Sequence, residues 1–478
     1  SPMRRGIAGT FIGAIALASL MATSAFAEPR RPNVVFFLVD DLGWRDLGCY
    51  GSSFYETPNI DRFAEQGVRF TQAYATCHVC SPTRASIMTG KYPARLQLTD
   101  WLPGRREFPF QKLKNAKIHQ HLPLGEVTIA EALKKHGYRT AHIGKWHLGE
   151  EPFGPRQQGF DIQVPRWNKG WPRAGYHAPF RLDGLKGVEG EYLTDRLTDE
   201  AEQFIEASKD RPFFLNCSFF GPHQPFLCPE PWDQLYPPDE IPLPPDFYHG
   251  VEDKPIFGNS AHMAWRQRRD EWGWDEATYR KILSAYYGYV AMIDHGVGQL
   301  LQTLQEEGLA DDTLVIFSAD HGEFGGQYRS FYKGLPYEGS THVPLIVRDP
   351  RVAQQPKTCA LNVSNIDLFA TCLTAAGATV PADAESRDLA PLWSGQNETW
   401  DNRTLWKKDK QSFVVRDDGK LMREGSGAEA VYEFYDLQND PWEEKNQLDQ
   451  PRFAPNIATL KQELDTWHAD QDDKAGPH

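Results

Sequence analysis

Four short apolar runs along the chain have the pattern of buried strands. A run without polar alternation is typical of a parallel strand that is covered on both faces. Patterns with apolar positions three and four residues apart lie between these runs and predict helices. The strands are predicted at 33–39, 139–143, 212–220 and 313–318, and the helices at 58–66, 128–136, 192–208 and about 275–307. This alternation predicts an α/β fold with a large, mainly parallel sheet between helices.

Polar residues that can bind or catalyse follow each of the four predicted strands. Asp40 and Asp41 follow the first strand, Lys145 and His147 the second, His223 the third, and Asp320 and His321 the fourth. Ligands of open parallel sheets bind beyond the carboxyl ends of the strands, so we expect these side chains at one edge. One aspartate at a strand end is common in turns, whereas four such clusters indicate a functional site. Carboxylate oxygens favour Ca²⁺ or Mg²⁺ over zinc or copper.

Composition narrows the class of protein. The chain has 478 residues, of which 40% are hydrophobic and 12% aromatic, and its formal net charge is −14. The apolar content is sufficient for a large core and too high for a disordered chain. A general nucleic-acid binder needs a basic face, so the acidic balance argues against that class of partner.

The amino terminus has the pattern of a targeting segment. Arginines at positions 4 and 5 precede an apolar stretch at about 7–21, which ends at Ala25-Phe26-Ala27. This order predicts a signal peptide cleaved after Ala27, so residues 1–27 are interpreted as a two-residue cloning remnant plus that peptide. A membrane anchor is the alternative, but the stretch is short and ends at small residues. We therefore expect a periplasmic or secreted protein, without a membrane span in the mature chain and with a mature net charge of −16.

Cys80 begins a segment that combines a helix start with an anion site. Pro82 suits the first turn of a helix, and Gly90 would end it. Cys80 then lies at the helix amino terminus, where backbone N–H groups favour negative charge, and Arg84 follows one turn later. Cys77 and Cys80 also form a C-x-x-C, which could be a redox pair or half a zinc site. No second C-x-x-C occurs in the sequence.

These motifs identify a known family. The order C-x-P-x-R followed by A-S-x-x-T-G resembles the signature of type I sulfatases, whose cysteine is converted after translation to Cα-formylglycine. The resemblance extends to DDLG at 40–43, GKWHLG at 144–149, ADHGE at 319–323, KG at 333–334, YEG at 337–339 and the stretch at 435–441. It implies the alkaline-phosphatase-like fold of sulfatases, with a catalytic domain at 28–395 and a small antiparallel subdomain with a packed helix at 396–478.

The resemblance also implies roles for the site residues. The implied calcium ligands are Asp40, Asp41, Asp320, His321 and the modified Cys80. Arg84 would steady the hydrated formylglycine, Lys145 and Lys333 would hold the sulfate oxygens, and His147 and His223 would form the acid–base pair. The sequence departs from the family motifs at two places. The residues around His223 differ from the common motif, and His342 stands where relatives often have arginine before Val-Pro.

The implied chemistry uses both hydroxyls of the hydrated aldehyde. One hydroxyl, activated by calcium and Arg84, attacks sulfur, and His223 or Lys333 protonates the leaving alkoxide. The second hydroxyl then loses its proton to His147, which re-forms the aldehyde as sulfate departs. A formylglycine-generating enzyme or an anaerobic sulfatase-maturating enzyme is the implied partner that modifies Cys80.

Three functions therefore remain open. The first is a secreted sulfatase that acts at the ends of sulfated mono- or oligosaccharides, because a charge of −16 opposes binding of a long polyanion in an open groove. The second is a phosphonate monoester or phosphodiester hydrolase with the same formylglycine. The third is a non-catalytic anion-binding relative or a C-x-x-C redox module. Trp101, Trp167 and Trp171 are candidates for stacking on sugars, although tryptophan is more often simply half-buried.

Overall fold

The computed structural model describes residues 31–107, 115–172, 175–352, 356–396 and 398–475. The predicted signal peptide at 1–27 lies outside these ranges. From Arg31 onward the chain forms one compact unit, and the predicted domain boundary at residue 395 stays a prediction. No helix among the described residues is both long enough and apolar enough to cross a membrane.

Fourteen strands form three sheets in the described part of the chain. They are β1 (Asn33–Asp40), β2 (Val68–Phe70), β3 (Ala73–Tyr74), β4 (Arg139–Gly144), β5 (Ile162–Val164), β6 (Phe213–Pro222), β7 (Thr313–Ala319), β8 (Leu345–Arg348), β9 (Thr358–Cys359), β10 (Val363–Ser364), β11 (Arg403–Lys408), β12 (Gln411–Arg416), β13 (Gly419–Glu424) and β14 (Val431–Asp436). The four predicted strands are therefore confirmed within one or two residues at each end.

The large sheet has eight strands in the order β5-β4-β6-β1-β7-β8-β2-β9. Its centre is parallel, because β6 and β7 flank β1 in parallel and β4 continues parallel to β6. Strand β8 is antiparallel to both of its neighbours, which makes the sheet mixed toward one edge. Every residue of β1, β6 and β7 is buried, as continuous apolar runs require.

Eleven α-helices accompany the sheets. They are α1 (Pro58–Gln66), α2 (Cys80–Thr89), α3 (Ile129–Lys135), α4 (Leu193–Glu206), α5 (Pro255–Gly258), α6 (Ala261–Glu271), α7 (Glu276–Glu306), α8 (Glu338–Thr341), α9 (Leu368–Ala375), α10 (Ala390–Trp393) and α11 (Ala454–Ala475) among the described residues. Helices α1 and α4 contact α7, whereas α2 and α3 contact α9. Two such groups are expected when helices cover both faces of a sheet.

A four-stranded antiparallel sheet, ordered β11-β12-β13-β14, lies near the carboxyl terminus, and α11 packs on β12 and β13. The small antiparallel sheet with a packed helix is therefore confirmed. The segment at 229–255, which reads as a surface insertion rich in proline, is partly internal. Its Ile241, Asp246 and Phe247 are buried, and Phe247 belongs to the main core.

Candidate active site

The central strands bring their terminal aspartates together. Val39 of β1 lies opposite Ala319 of β7, so Asp40 and Asp320 leave the sheet side by side. The Asp320 N–H donates to the Val39 carbonyl at 3.1 Å, and the Asp41 N–H donates to Asp320 Oδ1 at 3.3 Å. Asp41 has a left-handed φ of 64°, an unusual conformation that is often found at functional sites.

Cys80 is the first residue of α2, as predicted. Val79 precedes it in an extended conformation, and Gly90 ends the helix with a φ of 69°. Cys80 Sγ lies 3.3 Å from Lys145 Nζ and 3.3 Å from His321 Nε2. The helix amino terminus and a lysine therefore both face the sulfur atom, an arrangement that stabilises negative charge there.

Arg84 connects α2 to the strand ends. Its Nε donates to Asp320 Oδ2 at 2.8 Å, and its Nη1 donates to Ser218 Oγ at 2.7 Å and to the Lys145 carbonyl at 2.8 Å. Its Nη2 lies 3.5 Å from Asp40 Oδ1, but neither atom has a hydrogen bond among the described residues. Arg84 thus fixes the site framework and keeps one buried N–H group for a ligand.

A glycine turn positions Lys145. Gly144 has a φ of 110°, and a Cβ atom there would lie only 1.8 Å from the Ser218 carbonyl oxygen. This close approach lets the Lys145 N–H donate to the same carbonyl at 2.8 Å. The Lys145 ammonium then forms a buried ion pair with Asp40. Only glycine permits this turn, because any side chain would separate the two strands.

Lys333, His321 and His223 surround Asp41. Lys333 Nζ donates to Asp41 Oδ1 at 2.6 Å, His321 Nε2 lies 3.2 Å from the same oxygen, and His223 Nε2 lies 3.8 Å from Oδ2. Lys333 is therefore a partly buried site residue and not a solvated surface lysine. Sequence reasoning missed His262, whose Nε2 donates to the Lys333 carbonyl at 2.9 Å, because nothing in its local pattern indicates this contact.

The residues present fit a hard divalent cation. Two groups place their ligand atoms within 4.8 Å of one another: Asp40, Asp41, Cys80 and His223, and Asp40, Cys80, Asp320 and His321. Asp40 Oδ1 is buried and accepts no hydrogen bond in the described part of the chain. The three aspartates among these residues offer hard carboxylate oxygens, which suit calcium or magnesium. His223 also lies within ligand range, although the sequence assigned it to proton transfer.

Comparison with known proteins places the chain in a family. The sulfatase family profile matches residues 32–378, and the profile of the N-sulphoglucosamine sulphohydrolase carboxyl-terminal region matches residues 326–470. The chain belongs to the sulfatase family. It is a sulfuric ester hydrolase, and the predicted family and enzyme class are confirmed.

Two relatives illustrate the range of this sulfatase family. The chain is 27% identical to an N-acetylglucosamine-6-O-sulfatase of Bacteroides thetaiotaomicron, over 95% of this chain and 89% of that protein. It is 30% identical to the steryl-sulfatase of Mus musculus, over 79% of this chain and 67% of that protein.

Two solved structures have the same fold. A protein in complex with its substrate D-glucosamine-2-N,6-O-disulfate has a TM-score of 0.76 and 24% identity, covering 94% of this chain and 100% of that one. The phosphonate monoester hydrolase of Agrobacterium radiobacter has a TM-score of 0.72 and 22% identity, covering 92% and 96%. The fold therefore does not by itself distinguish sulfate from phosphonate esters.

The electrostatics of the sulfatase site favour an anion at position 80. Burial opposes ionisation of Cys80, but Lys145 and Lys333 outweigh it and lower the pKa of the thiol to about 6. Burial likewise opposes ionisation of Asp41, yet Lys333 and the nearby histidines lower the pKa of its carboxyl to about 2. Burial opposes the charge of His321, but Asp320 and Asp41 raise the pKa of its imidazole to about 9, so a fourth cation joins the two lysines and Arg84.

The two predicted acid–base histidines are neutral. Burial, followed by the charge of Lys145, lowers the pKa of His147 to about 3, and burial with Lys333 lowers the pKa of His223 well below its usual value. His223 Nδ1 donates to the Gln224 carbonyl at 2.7 Å, which leaves Nε2 facing Asp41. His147 Nε2 donates to the Leu102 carbonyl at 2.8 Å, and its buried Nδ1 has no hydrogen bond within the described ranges.

The C-x-x-C of this sulfatase does not form a redox pair in the structure. All seven cysteines are free. Cys77 is completely buried, and burial raises the pKa of its thiol to about 12, so it is unreactive. The two cysteines differ because only Cys80 faces the lysines.

Two cavities adjoin the catalytic residues. One of about 780 Å³ contains Lys333, Val79 and Trp101 in its lining, and one of about 650 Å³ contains His223 and Trp171. Trp101 and Trp171 therefore lie where a substrate could contact them. Trp167 lines neither of these two cavities, and its Nε1 donates to the Trp171 carbonyl at 2.7 Å.

Proposed function

We propose that this sulfatase hydrolyses sulfate esters of sugars, with Cys80 converted to formylglycine and one calcium ion bound. The observation that carries the proposal is the position of Cys80 Sγ, 3.3 Å from both Lys145 Nζ and His321 Nε2 and beside three buried aspartates. A helix start, a lysine and potential metal ligands converge on one atom of one side chain. That convergence is what activation of a nucleophile toward an anionic ester requires.

The sulfur atom stands in for an oxygen of the modified residue. When Cys80 carries an aldehyde, its hydrate supplies a hydroxyl nucleophile and a second hydroxyl that allows the aldehyde to re-form. The same Lys145 and Lys333 charges that lower the pKa of the thiol to about 6 would also favour an oxyanion there. Arg84 Nη2, which has no hydrogen bond among the described residues, is available to donate to that oxygen.

Asp40, Asp41, Asp320 and His321 are the residues that would hold calcium. The bound ion would supply positive charge that polarises the sulfate group. His321 suits ligation because its Nδ1 donates to the Gly322 carbonyl at 3.1 Å, which leaves Nε2 toward the aspartates.

Lys333 is the better proton donor to the leaving group. Burial opposes its charge, but Asp41 and Cys80 raise the pKa of its ammonium, so it stays protonated. His223 is neutral, and its Nδ1 proton is already committed to the Gln224 carbonyl. With the other ring nitrogen donating to a carbonyl, His223 Nε2 and His147 Nδ1 have no proton to donate, and either can accept one only where the negative sulfate group raises its lowered pKa. We assign donation to Lys333 and acceptance to the histidines.

The proposed substrate is a terminal sulfated sugar. Supporting this choice, relatives include an N-acetylglucosamine-6-O-sulfatase and an ulvan-active sulfatase of Formosa agariphila. A local group of cations in an acidic protein suits a short ligand better than a long polyanion. Sulfate release from an intact sulfated polysaccharide should be much slower than from its enzymatically produced oligosaccharides. Equal rates at internal positions would contradict terminal action.

One experiment tests the chemistry directly. Mass spectrometry of the peptide around Cys80 should show the aldehyde in place of the thiol after coexpression with a formylglycine-generating enzyme. The matured protein should then turn over 4-nitrophenyl sulfate faster than phenyl phosphonate esters. An unmodified Cys80 in fully active protein would overturn the nucleophile assignment, and a preference for phosphonate would favour the alternative suggested by the shared fold.

Export is also part of the proposal. It rests on the sequence at 1–27 and predicts that the mature protein outside the cytoplasm begins at Glu28. Amino-terminal sequencing of the protein from a periplasmic extract tests this. An amino terminus upstream of Ala27 in the extract would contradict the predicted cleavage site.

A further inference from the structure

Helix α6 and the segment that follows it form an aromatic wall of the 780 Å³ cavity. Trp265, Trp272 and Trp274 line the same cavity as Lys333. Trp265 is 48% exposed and Trp272 is 59% exposed, and their rings meet edge to face at 6.2 Å. Large aromatic rings are rarely left exposed together without a binding role. The wall lines the same cavity as Lys333, so a molecule bound against it would lie beside the active site.

A buried arginine lies within this wall. Arg269 is only 6% exposed, and its guanidinium carbon lies 5.5 Å from the ring centre of Trp274 and 5.9 Å from that of Phe331. Its one hydrogen bond to another described residue is a long one, from Nη1 to the Arg329 carbonyl at 3.3 Å. The aromatic rings hold the guanidinium group in place without neutralising its charge.

Arg269 differs from the other cations of this cavity in its partners. Arg105 is paired with Asp100 at 2.9 Å, Lys410 is paired with Glu424, and Lys333 is paired with Asp41. For Arg269, no carboxylate of the described ranges lies within the 4 Å limit of an ion pair. A desolvated cation without a counter-charge is costly, and an anionic ligand in the cavity would remove that cost.

We propose that Arg269 binds a second anionic group of the substrate, distinct from the sulfate that is hydrolysed. The group is a carboxylate of a uronic acid or a second sulfate, because a guanidinium fork matches both planar and tetrahedral oxyanions. The exposed rings of Trp265 and Trp272 provide apolar faces for the sugar that carries it. This inference rests on the proposed function and adds the substrate's charge pattern to it.

Helix α6 also contacts the catalytic loop. His262, the second residue of α6, donates to the Lys333 carbonyl at 2.9 Å. One helix therefore supports both the proposed anion contact and the proposed proton donor. Binding of the second anionic group would place the sulfated unit in a fixed relation to Lys333.

Paired substrates test the proposal. One pair is a sulfated disaccharide with a uronic acid and the same disaccharide with the carboxyl group reduced to an alcohol. The other is glucosamine 2-N,6-O-disulfate and glucosamine 6-O-sulfate. Arg269→Met keeps an apolar stem between the rings. In this variant, kcat/KM for the member with the additional anionic group should fall roughly 10- to 100-fold relative to the other member, in at least one pair. A response in the first pair would identify the bound group as a carboxylate, and a response in the second pair would identify it as a second sulfate.

Matched variants and a binding measurement separate the possible failures. Arg156→Ala removes the same charge from an exposed position outside the cavity lining and should leave both ratios unchanged, whereas Arg269→Lys should retain part of the preference. In the pair that responds, calorimetric binding of the member with the additional anionic group should weaken in Arg269→Met to the same degree, independently of turnover. Equal loss on both members of each pair, or no change in binding, would overturn the inference. Failure of the proposed function would instead abolish aryl sulfate turnover in the unaltered enzyme.

Discussion

The protein contains two buried clusters of charge that have different uses. The active-site cluster consists of the three aspartates with Lys145, Lys333 and Arg84. The second, which we call the carboxyl-terminal cluster, consists of Glu338, His342, Lys420 and Glu443. Lys420 Nζ lies 2.8 Å from Glu338 Oε1 and 2.9 Å from Glu443 Oε1. His342 Nδ1 donates to Glu338 Oε2 at 2.8 Å, and Glu443 Oε2 accepts the Glu338 N–H at 2.7 Å.

The difference lies in whether the cluster borders a cavity. In the active-site cluster Asp40 Oδ1 and Arg84 Nη2 are buried without hydrogen bonds to described residues, and Lys333 borders a cavity. In the carboxyl-terminal cluster Glu443 Oε1 and His342 Nε2 also lack hydrogen bonds within the described ranges, but both carboxylates are ion-paired with Lys420, contact a second group and join α8 to the small sheet. Buried charge beside a cavity indicates a ligand site, whereas buried charge that is ion-paired between elements holds those elements together.

The largest expected effect separates activity from stability. Cys80→Ala should lower turnover of 4-nitrophenyl sulfate by about 10³-fold or more, because the nucleophile is lost, with little change in the thermal midpoint. Cys77→Ala is the matched control, since Cys77 is equally buried but does not face the lysines. Comparable activity in the two variants would contradict the role of Cys80.

The carboxyl-terminal cluster should show the opposite behaviour. Lys420→Met leaves two buried carboxylates without their shared cation, which should reduce the free energy of unfolding by about 3 to 5 kcal/mol. Urea unfolding measures this loss, and activity per folded molecule should be retained. Lys134→Met, which breaks a half-exposed pair with Asp161, should cost no more than about 1 kcal/mol. A small effect of Lys420→Met would refute the structural role of the cluster.

Metal removal should affect only the active-site cluster. EGTA should abolish turnover and lower the thermal midpoint, and added Ca²⁺ should restore both. At a calcium concentration of about 100 times the dissociation constant, the stabilisation is about 2.7 kcal/mol. Asp320→Asn should lose most of the calcium response, whereas Glu443→Gln should keep it. Undiminished activity in protein shown to be metal-free would exclude calcium from the reaction.

The smallest expected effect is a pH dependence of stability from Glu443. Burial is the main cause that raises the pKa of this carboxyl above its ordinary 4.5, with Glu338 adding to it. Above pH 4.5 the folded state therefore binds more protons than the unfolded chain, so the stability contributed by this group falls as pH rises toward 7. Relative to Glu443→Gln, the unaltered protein should lose roughly 1 to 3 kcal/mol over this range in urea titrations. A difference that is constant, or that grows in the other direction, would contradict this.

The central fold and most of the active site could be predicted because their signals are local. Continuous apolar runs marked β1, β4, β6 and β7, and the polar residues directly after them reach one site. Strands β11 and β13 were not predicted, because their sequences RTLWKK and GKLMRE are rich in charged residues. Their charged residues are partly buried by partners elsewhere in the chain, which local patterns do not reveal.

The contacts that could not be predicted from the sequence join segments that are far apart along the chain. Lys420 and Glu338 are 82 positions apart, and His262 and Lys333 are 71 apart. The departure at His342 was visible in the sequence, but its meaning was not. In the structure His342 donates to Glu338 and stacks on Trp44 at 4.1 Å. It therefore belongs to the carboxyl-terminal cluster and has a structural position.

The strand order determines when the active site can assemble during synthesis of the chain. Strand β1 is among the first described segments to be synthesised, yet Val34 pairs with Phe214 on one side and Leu314 on the other. About 240 residues must be translated after Cys80 before Asp320 can take its place beside Asp40 and Cys80. Such long-range pairing makes folding slow. A nascent chain that stops before β7 contains the nucleophile but no site, so measured activity counts only chains completed through that strand.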